Sequence, residues 1–197
     1  MNRTLAILAL AILLAADARS QTTATFRPSA DGATEQWTNN AGAACSGATC
    51  YTEVSETSGS TNCTASSYVK GSGTPNKAPA TSGQVQTYAL SLSSIPDGNV
   101  ITNITVYTCQ MRGGSQSTNG TLRIVVGGTP TECGASQAAG TSYAEASCSF
   151  TVNISKGGST SIEIGNKTTQ GRAIYMDAIA ARLTYQAGAS RRGQVIE

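Results

Sequence analysis

The sequence contains no histidine. Every arrangement that needs an imidazole, Ser-His-Asp triads and Cys-His pairs included, is excluded outright. Charge is scarce as well. Asp, Glu, Lys and Arg make up 12% of the 197 residues, about half the ~25% usual in soluble domains. Behind Ser20 there are 11 basic and 10 acidic residues, a net charge of +1. No basic field exists to attract nucleic acid or an anionic lipid surface. Arg191-Arg192 is the one local pair, and it lies in a polar tail. Aromatics amount to 5%, with a single tryptophan, Trp37. "GSGTPNK" (71–77) lacks both the strand–helix context and the Lys-Ser/Thr ending of a phosphate loop.

What is present starts with MNRTLAILALAILLAADARSQ. Arg3 supplies a positive start, and Leu5 to Ala16 is an apolar run of 12 residues. Small residues follow, with Ala18 and Ser20 placed for a signal peptidase. Cleavage is expected after Ser20, with Ala18 as the alternative. The run is too short for a bilayer of about 30 Å at 1.5 Å per residue. No later segment is apolar enough to insert in a membrane. The expected organisation is a signal peptide (1–20), one domain (21–186) and a polar C-terminal tail (187–197), exported to the extracellular space or cell surface.

Thr (27) and Ser (23) make up a quarter of the chain, and Gly adds 21. Thr favours pleated, half-exposed surfaces, while Gly and Ser fill turns. Short runs of alternating polarity recur between Gly, Asn, Ser and Pro punctuation. Strands are expected at 22–28, 34–38, 50–56, 67–70, 85–93, 100–112, 120–128, 142–154, 159–165 and 172–186. "VQTYALSLS" puts Tyr88, Leu90 and Leu92 on one face. "SYAEASCSFTVNI" turns Ala146, Cys148, Phe150, Val152 and Ile154 inward, and leaves Glu145 among the solvated residues. Glu163 reads the same way. "ECGASQAAG" is a helical turn at most. Ten strands with one apolar face each predict an all-β fold of two antiparallel sheets, a jelly-roll-like β-sandwich. An immunoglobulin-like sandwich ranks second, because Trp37 precedes every cysteine.

Six cysteines are present: Cys45, Cys50, Cys63, Cys109, Cys133 and Cys148. An even count in an exported chain reads as disulfides. A zinc site would need four close ligands in paired spacings, and a redox motif would need CxxC. Neither is present. Three cysteines precede residue 64 and three follow residue 108. If all pair within the chain, an odd number of bridges joins the two groups. Cys45–Cys50 is the first expected pair; Cys63 then reaches one of the late three, and the other two pair together. The stretch "CSGATCYTEVSE" is therefore read as a stapled loop.

"AIYMDAIAARLTY" (173–185) is similar to the closing strand of jelly-roll carbohydrate-binding modules. The longer order "FRPSADGATEQWTN … CYTEVSE … YALSLSSIPDGNVITNITVYTCQMR … IYMDAIAARLTY" resembles uncharacterised secreted jelly-roll sandwich domains. The resemblance implies a structural calcium near Asp177, with Asp31, Glu53 and Glu56 as further oxygen donors. It also implies a sugar platform, for which Trp37 beside Asn39 and Asn40 is the candidate.

No catalytic residues are assigned. Glu53 and Glu56 form a carboxylate pair, but on a strand residues three apart point to opposite faces. Asn-x-Ser/Thr sites lie at Asn62, Asn103, Asn119, Asn153 and Asn166. The expected function is a non-catalytic structural or adhesive subunit of an extracellular filament or surface layer. Its partners would be other copies or cell-surface molecules, joined by β-strand addition at poorly guarded sheet edges. The alternative is a carbohydrate-binding module with a glycan ligand. A buried Trp37 and an open sheet edge favour the first; an exposed Trp37 on a concave sheet favours the second.

Overall fold

The computed structural model describes residues 20–38, 44–45, 50–54, 63, 76–77, 83–112, 118–169 and 174–188. The expected signal peptide up to residue 19, Asn39, Asn40, Glu56, Asn62, the strand expected at 67–70 and the expected tail from residue 189 lie outside them. Among the described residues there are eleven strands: β1 (Gln21–Phe26), β2 (Pro28–Glu35), β3 (Asn76–Lys77), β4 (Val85–Leu90), β5 (Asn99–Arg112), β6 (Thr118–Val126), β7 (Thr129–Glu132), β8 (Gln137–Ala139), β9 (Ala144–Ser155), β10 (Ile162–Thr168) and β11 (Ile174–Ala187). A short helix, α1, spans Cys50–Val54. Among the described residues no helix is long and apolar enough to cross a membrane.

Two antiparallel sheets form the sandwich. Sheet I has the order β1-β11-β5-β9, with β3 also pairing β11; sheet II has the order β2-β4-β10-β6-β7, with β8 also pairing β6. From β4 through β6, and again from β9 through β11, successive strands alternate between the sheets. The chain thus winds around its own interior, as a jelly roll requires. Alternation along each strand decides what enters that interior. Tyr88, Leu90, Ile104, Val106, Leu122 and Ile124 are all buried there. Each such side chain contributes roughly 1.5–3 kcal/mol when fully buried. Gly127 (φ 55°) and Gly128 (φ 84°) form the tight turn between β6 and β7, where positive φ at both central residues suits a hairpin.

The interior also holds a polar link. Asn166 Nδ2 on β10 donates to Gln110 Oε1 on β5 at 2.7 Å, joining the sheets. Asn166 is fully buried, so in the folded chain this glycosylation sequon is closed to a glycan.

All six cysteines pair, as Cys45–Cys50, Cys63–Cys109 and Cys133–Cys148. The bridge between the early and late groups is Cys63–Cys109. Cys133 follows β7 of sheet II and Cys148 lies on β9 of sheet I, so that bridge ties the two layers together.

Three local expectations are corrected. "CYTEV" is helical, not extended. Its first N–H donates to Asp31 Oδ2 at 3.2 Å, and the Cys45–Cys50 bridge pins the same residue. A satisfied first donor and a closed loop override the β-branched residues that suggested a strand. "TEQWT" leaves the ladder at Glu35, and only Thr38 returns, in an isolated bridge to Ala44. "ECGASQAAG" contains the short strand β8 rather than a helical turn.

Candidate functional site

The first sequence candidate, Trp37, is 1% exposed. Its indole N–H donates to the Gln84 carbonyl (3.2 Å), and its main-chain N–H to Gln86 Oε1 (3.3 Å). It belongs to the same core cluster as Cys45, Cys50 and Val54. The ring therefore has no face to offer a sugar, and the platform reading of Trp37 is corrected. A large indole with one donor fits an interior that also supplies an acceptor.

Asp177, the calcium candidate, is fully buried on β11. It sits where the register against β5 slips between Met176 and Ala178. Asp31 is committed to the start of α1. Among the described residues, no three Asp, Glu or Cys side chains gather as a metal site. Glu53 lies in α1, so the strand-based reason for separating it from Glu56 does not hold.

The outer face of sheet I brings together residues that the sequence reading left apart. Ile104 and Val106 of β5 belong to the core, whereas Tyr107 and Cys109 belong to a separate cluster with Cys63, Ala178 and Tyr143. Strand register arranges this outer side in rows. Thr23, Thr184, Asn103 and Thr151 form one; Thr25, Arg182, Thr105 and Ser149 form the next. Above them lie Ala180, Tyr107 and Ser147, then Ala178, Cys109 and Glu145. Strands about 4.8 Å apart, with same-face residues about 6.8 Å apart along each, make this a polar lattice. Hydrogen bonds lock parts of it: Thr23 to Thr184 (3.2 Å), Thr105 to Ser149 (2.8 Å) and Thr105 to Asn103 (3.1 Å). The Arg182 guanidinium lies 5.6 Å from the centre of the Tyr107 ring, within cation–π range.

The upper rows are partly dry. Burial pushes the Glu145 carboxyl above its ordinary range, and Arg182 pulls it back in part. Burial also raises the Tyr143 phenol, with Asp177 and then Tyr175 adding to the shift. Glu145 is half-buried, and its Oε2 has no hydrogen-bond partner. The expectation of a solvated Glu145 is corrected by its neighbours, because the Cys63–Cys109 bridge packs Cys63 against this face, beside Ala178, Tyr107 and Tyr143. Glu163 is corrected too: it is half-buried and accepts the Ala33 N–H at 3.1 Å. One sequence signal pointed here: an odd number of bridges had to link the early and late cysteines.

The margins of sheet I complete the site. Among the described residues no strand pairs with the outer edge of β1 or of β9. β1 reads QTTATF and β9 reads AEASCSFTVNIS, without a lysine or proline in either.

No known protein family and no curated protein sequence matches the chain. Solved structures do. A family 35 carbohydrate-binding module from Cellvibrio japonicus Abf62 is 14% identical over 85% of this chain and 98% of that one, at a TM-score of 0.42. The CBM22-1 xylan-binding domain from Paenibacillus barcinonensis Xyn10C is 9% identical over 59% and 74%, at 0.40. A family 35 module from an environmental isolate is 10% identical over 85% and 99%, at 0.39. The chain is distantly similar to jelly-roll carbohydrate-binding modules. The sandwich itself rests on the strand pairing described above. Chemically, the polar lattice suits a hydroxyl-rich surface, and the bare margins suit another strand.

Proposed function

We propose that this chain is a secreted, non-catalytic building block of an extracellular assembly, held by main-chain pairing at the margins of sheet I. The observation that carries this reading is a pair of lysine-free edges on one sheet that no strand covers among the described residues. Native sheets ordinarily blunt such edges with charge, proline or cover. The burial of Trp37 supports the same reading, since it removes the intended sugar platform. Three disulfides suit an oxidising compartment. Gln21, the first residue behind the expected cleavage point, is also the first residue of β1.

The test is electron microscopy and sedimentation of the protein beginning at Gln21, kept oxidised. Filaments or regular polymers are expected. A uniform monomer at all concentrations overturns the reading.

A second reading, glycan binding, has its own support in the lattice with Tyr107, Arg182 and Glu145. A glycan screen with Tyr107→Ala and Arg182→Ala as controls tests it. Binding that both variants abolish would favour it over assembly.

A further inference from the structure

We propose that β1 is exchanged between copies: the N-terminal strand of one chain takes the place beside β11 of the next. This deepens the assembly reading and rests on it. The occupant is therefore a second copy of this chain.

Four observations carry the inference. First, among the described residues β1 has one sheet neighbour: it pairs β11 from Gln21 opposite Gln186 to Phe26 opposite Ala181. Second, it is lightly held. Four of its six residues are exposed, Ala24 is half-buried and Phe26 alone is buried. Third, a single residue, Arg27, separates β1 in sheet I from β2 in sheet II. So short a link between two layers is the kind of hinge that invites swapping. Fourth, the residue after the hinge is Pro28, which biases Arg27 toward an extended backbone. Opening the hinge thus lets β1 run out from the start of β2 as one extended segment. Six residues at about 3.3 Å each carry the freed strand roughly 20 Å beyond its own sheet.

The exchange conserves every contact. The vacated edge of β11 is refilled in the same antiparallel register, and the incoming Phe26 enters the same apolar slot. Only the link differs, so exchange costs little once copies are close. Donor and acceptor lie on one molecule but need not reciprocate. A head-to-tail series then grows without closing, which is how heterologous contacts build filaments.

Thr23 and Thr184 face each other across β1 and β11, with hydroxyls 3.2 Å apart. Thr23→Cys with Thr184→Cys places two thiols at a separation suited to a cross-strand bridge. The double variant is assembled, checked by electron microscopy, then oxidised and run on a denaturing gel without reductant. Polymers that give a ladder of multiples of the chain mass, collapsing to one band on reduction, support exchange. Polymers that give only the single-chain band show β1 at home; exchange is overturned and the assembly reading stands. Absence of polymers, in the variant and in the unmodified protein alike, overturns both.

A second variant checks the hinge without touching the new bridge. Inserting Gly-Ser-Gly between Arg27 and Pro28 gives β1 slack to fold back on its own chain. The interchain ladder is expected to fade while the single-chain band gains. An undiminished ladder overturns the hinge as the driver of exchange.

Discussion

The two sheets of this sandwich share an interior but treat the outside in opposite ways. Sheet II is covered and paired. Its edge strand β2 loses register between Asp31 and Glu35. The slack folds over the sheet, where Ala33 N–H reaches Glu163 and Thr34 N–H reaches Thr87 Oγ1 at 3.1 Å. At the far side β7 is four residues long, contains Pro130 and ends at Glu132, which receives Lys167 (2.9 Å) and Arg123 (3.8 Å). Those are the usual devices against edge pairing. Sheet I has none of them on β1 and a single charge, Glu145, on β9. Its outer face is a hydroxyl lattice with a disulfide at one end. The two layers therefore differ in how their edges are guarded among the described residues.

The comparison can be broken most forcefully at that disulfide. Cys63→Ala with Cys109→Ala removes a bridge between residues 46 apart. The chain-entropy model gives about 4 kcal/mol for a loop of that length. In a domain of this size each kcal/mol moves Tm by roughly 2–4 °C, so a fall near 10 °C is expected in a thermal melt. Tyr107 and Tyr143 should become more accessible at the same time. An unchanged Tm would mean that sheet I does not depend on its staple.

The next effect belongs to sheet II. Gly165 on β10 lies against β4 so closely that a Cβ would collide with the Gln86 carbonyl oxygen, and would come within 3.1 Å of the Thr87 Cα. Backbone cannot step aside as a flexible side chain can. Gly165→Ala is therefore expected to cost about 2 kcal/mol, in the range for overpacking, measured by denaturant unfolding. A neutral result would show that the covered sheet has room to relax.

Smaller still is the ion pair on the same sheet. Lys167→Met breaks the contact with Glu132, and both members of that pair are partly exposed. A loss of at most about 0.5 kcal/mol is expected. A larger loss in denaturant unfolding would mean that charge, not coverage, finishes sheet II.

Periodicity made most of the fold legible. Tyr88, Leu90, Phe150 and Ile154 turned toward the interior as their alternation required, and two sheets followed. What the sequence left hidden depends on contacts distant along the chain. Trp37 beside two asparagines looked like a surface platform, yet acceptors from Gln84 and Gln86 draw it inside. "CYTEV" has strand-like residues, yet Asp31, nineteen positions earlier, supplies the acceptor that starts a helix. Glu145 alternates outward and so looked solvated. Cys63, bridged to Cys109 from 46 positions earlier, packs onto that face, which no local pattern records.

Glu145 also gives the most delicate test of the difference between the sheets. Its pKa is raised in the fold, chiefly by burial, and Arg182 only partly offsets this. A raised carboxyl binds its proton more tightly in the folded than in the unfolded chain. Between the ordinary glutamate value and the raised one, the folded state therefore holds more protons, and stability falls as pH rises. The contribution is fully present below the ordinary value and is lost as pH climbs through the raised one. Glu145→Gln keeps the shape and removes the charge. It should leave Tm unchanged near pH 4 and raise it modestly near pH 7, where the native carboxylate bears its desolvation cost. The matched change on the covered sheet, Glu163→Gln, replaces the acceptor of the Ala33 N–H with a side chain that can still accept but carries no charge, and it should not raise Tm at neutral pH. If both substitutions stabilise equally at pH 7, the strain is not particular to sheet I. If Glu145→Gln alone does so, the desolvated carboxylate is particular to sheet I.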